Sequence, residues 1–144
     1  MAEWGQNGPK PQDKGWSFPR ALTQQEQSAL KLGLAEAKFS LKPASEGDAG
    51  KVMVAMRARY RERGSWRNLS KDELGIIADE WIEDLCEYPG DLIREAYRLW
   101  RHGRGGFPPS DAGEMMALVA PIMQSRKALA DRMAKLVQAA EVNI

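Results

Sequence analysis

Between Trp81 and Glu114 the chain reads WIEDLCEYPGDLIREAYRLWRHGRGGFPPSDAGE, and no other stretch limits the fold so tightly. Leu74, Ile77, Ala78, Trp81, Ile82 and Leu85 recur at the i, i+3, i+4, i+7 spacing of one helix face. Ser70-Lys-Asp-Glu73 is a capping box that opens this helix. Tyr88-Pro89 ends it, because the residue before Pro is steered out of the helical region while Pro is tolerated in the first turn of the next helix. That next helix carries Leu92, Ile93, Ala96, Tyr97 and Trp100 on a wide apolar side and stops at Gly103. A turn this short should place the two helices side by side, with Trp81, Leu85, Ile93, Tyr97 and Trp100 meeting. Gly103-Arg-Gly-Gly-Phe-Pro-Pro109 is not helical, and Phe107 is expected to plug the core.

The flanking segments extend the pattern. Thr23-Gln-Gln-Glu26 is a further capping box, which starts a helix running to about Phe39. Gly33 lies inside that helix and weakens it by about 1 kcal/mol relative to Ala. Val52, Met56 and Tyr60 mark a second helix, from about Asp48 to Arg63, which ends at Gly64. Ser110-Asp111 caps the last helix, with Glu114 near its positive end. From Met115 through Val119, Ile122, Leu129, Met133, Leu136 and Ala140 the apolar spacing of that helix alternates between four and three, with Arg126 in the one charged slot and Pro121 as a candidate kink. No segment alternates with a period of two. The expected fold is all-α, a compact bundle of about five helices with a long C-terminal helix from about 111. Residues 1–20, rich in Gly and Pro, read as a flexible tail, and 21–144 as a single helical domain. Trp4, Trp16 and Phe18 are unusual in such a tail: they form a short docking motif or pack back onto the domain.

Charge narrows the function classes. Twenty-one Lys and Arg against 20 Asp and Glu leave a net charge of +1, so no global field drives the chain onto nucleic acid or an anionic membrane, and any such binding must be local. One Cys, Cys86, and one His, His102, exclude an internal disulfide and a Cys/His zinc site and fit a reducing cytoplasm. No stretch approaches the roughly 20 apolar residues of a membrane span. The phosphate-cradling, metalloprotease and nucleophile-elbow motifs are missing, so the expectation is a non-enzymatic protein with no cofactor, no metal and no catalytic residue. Asp79, Glu80, Glu83 and Asp84 have the spacing of a carboxylate cluster but read as a solvated helix face.

Two surfaces remain as candidates. Arg57, Arg59, Arg61, Arg63 and Arg67 crowd the end of the second helix, while Arg94, Arg98, Arg101 and Arg104 line the fourth helix and its exit. Beside Tyr60, Trp66, Tyr97 and Trp100 these guanidinium forks suit a nucleic-acid backbone with base stacking. The competing reading is that the arginines only offset the acidic face in surface ion pairs. The second surface is the last helix beyond Arg126. There Leu129, Met133, Leu136 and Val137 are expected to lie past the cover of the other helices, open to a partner groove or to a second copy of the chain.

The order of these elements also carries a resemblance. Tyr60, a capped helix with Trp81 and Leu85, then Tyr88-Pro89, a helix with Ile93, Ala96 and Trp100, and Phe107-Pro108-Pro109-Ser110 opening a helix with Glu114 resembles phage-encoded loaders and inhibitors of replicative helicases, over residues 52–120. The resemblance implies a cytoplasmic protein in a bacterial host, without ATPase chemistry, that binds a hexameric replicative helicase to load or inhibit it. It also implies that the C-terminal part makes the helicase contact while the helical domain meets DNA or another replication protein. The alternative is a small phage DNA-binding protein that uses the arginine faces.

Overall fold

The computed structural model describes residues 10–12, 15–18, 20–104 and 106–142. The chain is all-α apart from one short hairpin, and it divides into two compact units, Leu41–Gln124 and the pair of segments Met1–Ser40 and Ser125–Ile144. A single domain over 21–144 did not contain this division. The boundary falls inside the last helix.

The unit of residues 41–124 holds α2 (Glu46–Tyr60), α3 (Lys71–Leu85), α4 (Gly90–Arg104) and the short α5 (Ala112–Met116), with single 3₁₀ turns at Gly64–Trp66 and Ala117–Val119. Each start has a local cause. Ser45 accepts from the Asp48 N–H at 3.1 Å, and Ser70 with Glu73 forms the full capping box at 3.0 and 3.2 Å. Asp111 accepts from the Glu114 N–H at 2.8 Å, satisfying one of the unpaired donors of the first turn of α5. Between α3 and α4, the Tyr88 N–H closes on Leu85 O at 3.0 Å, and the Pro89 carbonyl then accepts the first bonds of α4.

The tight turn does not make α3 and α4 main neighbours. Helix α2 lies against both of them, with few close approaches between α3 and α4 themselves, and α5 packs on both in turn. Around α2 the core gathers Met53, Met56, Tyr60, Trp66, Trp81, Leu85, Ile93, Ala96, Trp100, Met115 and Val119. Trp66 links two of its rings. Its ring meets Tyr60 and Trp81 edge-on, each at 6.3 Å between centroids. Trp81, Leu85, Ile93 and Trp100 all belong to this core, with Tyr97 at its margin, although α3 and α4 approach each other little. Phe107 is the exception: it is 64% exposed, and Pro108 and Pro109 are buried in its place. The reason is geometric, because the Trp100 indole N–H donates to the Phe107 carbonyl at 2.8 Å and so fixes the turn with the backbone inward and the ring outward.

The other unit pairs α1 (Gln24–Phe39) with α6 (Ala120–Val142) from Ser125 onward. The long C-terminal helix is present, but it does not begin at 111. Pro121 has no N–H to donate and its ring crowds the carbonyl four residues back, so the chain takes a 3₁₀ turn at Ala117–Val119 and starts α6 with Pro121 in its first turn. Helix α1 opens on the Thr23–Glu26 box, and Arg20 clamps the Glu26 carboxylate through two bonds of 3.0 and 2.9 Å. That clamp and the bond to Thr23 hold the Glu26 carboxyl down at about 2.

Leu30 of α1, with Leu34 at the edge, packs with Leu136, Val137, Ala139 and Ala140 of α6, and Ala37 of α1 is buried as well. Gly33 is what permits the approach: a Cβ there would come within 2.7 Å of Met133 Cε. Arg126, the odd charge in the apolar stripe of α6, donates to the carbonyl of Ser40 at 2.9 Å and so closes the C-terminal end of α1. Within the segment read as a flexible tail, part is described. Lys10–Gln12 (β1) and Gly15–Ser17 (β2) pair antiparallel, with Pro11 opposite Trp16, and Phe18 is buried together with Leu22 in the core of this unit. Trp4 and the rest of residues 1–9, with 13, 14 and 19, lie outside the described residues.

Candidate nucleic-acid interface

Ile93, Ala96 and Trp100 fix the inward side of α4 and thereby aim Arg94, Arg98 and Arg101 at the opposite side, with Arg104 on the shoulder. Their states differ. Arg98 is held by its neighbour Glu95 through two bonds, Nε to Oε2 at 2.9 Å and Nη2 to Oε1 at 2.5 Å. That contact lowers the Glu95 carboxyl and raises the Arg98 guanidinium, so much of the charge of Arg98 is offset within the helix. Arg101 lies over the Tyr97 ring, with Cζ 4.8 Å from the centroid, and Arg104 lies over Trp100 at 5.5 Å. Stacking occupies the face of a guanidinium and leaves its in-plane N–H groups available to an oxyanion. The Nε of Arg101 is buried and makes no hydrogen bond among the described residues.

The two arginine groups, separate in sequence, lie on neighbouring helices, since α2 packs against α4. Burial first, and then Tyr60, push the Tyr97 phenol up, while Arg101 and Arg59 pull it back. A second junction lies one turn further on. Gly64, in the left-handed region at φ 55, packs against the Phe107 ring edge and Pro108, where a Cβ would come within 3.0–3.3 Å of them. The loop carrying Arg61, Arg63 and Arg67 therefore borders the turn that carries Arg104 and Phe107, and all of these but Phe107 are exposed cations. On the far side of that turn Glu114 takes both the N–H and the hydroxyl of Ser110, which with Arg104 lowers its carboxyl.

The aromatic assignments are reversed relative to expectation. Tyr60, Trp66 and Trp100, read as base-stacking neighbours of the arginines, are 0%, 3% and 4% exposed and belong to the core, so none of them offers a face. Phe107, assigned to the core, is the large exposed ring beside the arginines. Gly64 was the available signal, although it does not end the helix as expected: α2 stops at Tyr60 with Arg61 as its cap, and Gly64, at φ 55, opens the 3₁₀ turn that follows and leaves space for a neighbouring chain segment to approach.

The second candidate surface is also corrected. Leu136 and Val137 are 4% and 9% exposed against α1, and Met133 is half-buried over Gly33. Of the four residues expected to await a partner, Leu129 alone remains exposed, at 37%. Elsewhere, Asp79 and Glu83 of α3 face Glu46 across a cleft of about 790 Å³ that also reaches Cys86, whose thiol is pushed up by burial and by Glu46. Among the described residues no three His, Cys, Asp or Glu side chains group at metal-binding distance, and no helix is long and apolar enough to cross a membrane. Comparison of the chain with protein-family models, curated proteins and solved structures finds no match.

Proposed function

We propose that the protein is a non-enzymatic nucleic-acid-binding protein whose contact face is the arginine side of α4, joined by the end of α2. One observation carries this reading: Arg101 and Arg104 of α4 lie over the Tyr97 and Trp100 rings, so two cations are held against aromatic rings on one helix, with α2 and its arginines packed beside it. Simple ion pairing with the acidic face of α3 supplies no such arrangement; Arg98 pairs within α4, with Glu95. Phosphate binding of this kind falls with salt, with a slope of about −0.9 per phosphate neutralised on a duplex. Fluorescence anisotropy with a labelled oligonucleotide, measured from 50 to 200 mM salt, should show binding that weakens over this range. Replacing Arg101 by Ala should flatten the slope by about one unit. Absence of binding at the lowest salt, or an unchanged slope in Arg101→Ala, overturns the reading.

A second reading keeps the helicase adaptor implied by the resemblance, with its surface moved. Leu32 and Phe39, seven residues apart on one side of α1, are 61% and 72% exposed. They suit an apolar contact better than the buried Leu136 and Val137 do. Capture of a hexameric replicative helicase that survives high salt and is lost on Leu32→Asp would favour this reading over the first.

A further inference from the structure

Phe107 is the most exposed aromatic side chain next to the arginines, and its position is built rather than left over. Its carbonyl accepts from Trp100 Nε1 at 2.8 Å, and the two prolines that follow are buried, so the backbone on both sides of the ring is fixed. The absence of a side chain at Gly64 is what makes room for the ring edge, with the backbone there held at φ 55. The result is a phenyl group 64% exposed on a rigid turn, with Arg104 three residues before it and Arg63 directly before Gly64. An exposed ring with arginines on both neighbouring chain segments suits an unpaired base flanked by phosphates: the ring supplies a stacking face, and exposed guanidiniums are within the same region of surface for the backbone. A paired base offers no such face, because its neighbours in the duplex already occupy both sides.

Resting on the nucleic-acid reading above, we propose that Phe107 is a stacking residue for an unpaired base and that the preferred ligand is single-stranded nucleic acid. The full-length protein is titrated into three labelled probes, a deoxythymidine 20-mer, a uridine 20-mer and a 20-base-pair duplex, together with Phe107→Ala and Phe107→Tyr. One base stack is worth about 1–3 kcal/mol. Phe107→Ala should therefore lose about 5- to 150-fold in affinity for a single strand, change duplex binding less than about twofold, and be rescued by Phe107→Tyr. The tighter of the two single-stranded probes names the preferred kind of strand. An unchanged thermal melt in Phe107→Ala, expected for an exposed ring, shows that the loss is not unfolding. If the wild-type protein binds no probe, the proposed function falls and this inference with it. If it binds all three but Phe107→Ala changes nothing, or weakens duplex and single strand alike, the stacking role is overturned while the nucleic-acid reading stands. Loss of self-association in that variant, seen by analytical ultracentrifugation with oligonucleotide affinity intact, would assign the ring to a protein contact and overturn it too.

Discussion

Truncation of Trp66 to Ala would remove the side chain on which the core of residues 41–124 turns. The ring is 3% exposed and meets Tyr60 at an interplanar angle of 81° and Trp81 at 87°. A buried Trp-to-Ala change costs about 3–5 kcal/mol, the sum of lost transfer free energy and the cavity left by partial relaxation. Each edge-on aromatic pair contributes about 0.5–1.5 kcal/mol beyond buried area, and two are broken together, which puts the expectation in the upper half of that range. A cost near 4 kcal/mol is a large share of the roughly 5–15 kcal/mol that holds a domain folded. For a unit of this size 1 kcal/mol shifts the melting temperature by about 4–8 °C, so a drop of about 15–30 °C is expected. Far-ultraviolet circular dichroism is the suitable probe, because tryptophan fluorescence changes with the substitution itself. A cycle with Trp66→Phe and Trp81→Phe should return a coupling of about 0.5–1.5 kcal/mol between the two positions. A shift below about 1 kcal/mol in Trp66→Ala, or additive single variants, would refute the central placement of this ring.

Two further outcomes follow from the other unit. Leu136→Ala, at 4% exposure among Phe18, Leu22 and Leu30, should cost about 2–5 kcal/mol, whereas Leu129→Ala at 37% should stay within about 1 kcal/mol; equal costs in urea unfolding would contradict the packing of α6 on α1. Glu26, lowered from 4.5 to about 2 by Arg20 first and the Thr23 backbone second, contributes stability that is complete above pH 4.5 and is lost as pH falls through about 2. In Arg20→Ala the carboxyl should titrate closer to 4.5 and this acid-labile contribution should shrink, as NMR titration of the Glu26 side chain would show. A Glu26 still at about 2 without Arg20 would remove the clamp as the cause.

What the chain discloses in advance is its local chemistry. The three-residue spacings Thr23 to Glu26, Ser70 to Glu73 and Asp111 to Glu114 are helix starts because the cap side chain and the N–H that donates to it are neighbours in sequence, and all three are in place. Apolar periodicity likewise marks α3 and α4, whose inward faces are Trp81 with Leu85 and Ile93 with Trp100. Pairing between distant segments leaves no such trace. Leu136 and Val137 looked uncovered because the cover comes from α1, a segment about a hundred residues earlier, and spacing within one helix says nothing about its partner. Two small irregularities did encode that pairing. Gly33 in mid-helix marked a close approach, and Arg126 in an apolar stripe marked a helix end within reach. Trp66 and Phe107 exchanged roles for a related reason. Both follow glycines in non-periodic segments, where hydrophobicity alone cannot decide which ring turns inward. The indole hydrogen bond from Trp100 and the backbone at Gly64 decide it, and both depend on the assembled core.

The discontinuous unit has a consequence for how the chain acquires its structure. Its two halves are joined by contacts such as Arg126 to Ser40, 86 residues apart, while everything between them belongs to the other unit. During synthesis from the N-terminus, α1 must wait without its partner until the whole of 41–124 and then α6 have emerged. The intervening unit is contiguous, so its contacts close over shorter loops and carry less entropic cost. We therefore expect a fixed order, in which residues 41–124 acquire hydrogen-exchange protection first and the α1–α6 pair afterwards, with the earlier event shortening the effective loop for the later one. Simultaneous protection of Leu30 and Trp81 amides in a pulse-labelling experiment would exclude that order. Until α6 arrives, the apolar side of α1 with Leu30 and Ala37 is the part of the nascent chain most exposed to chaperones and to proteolysis.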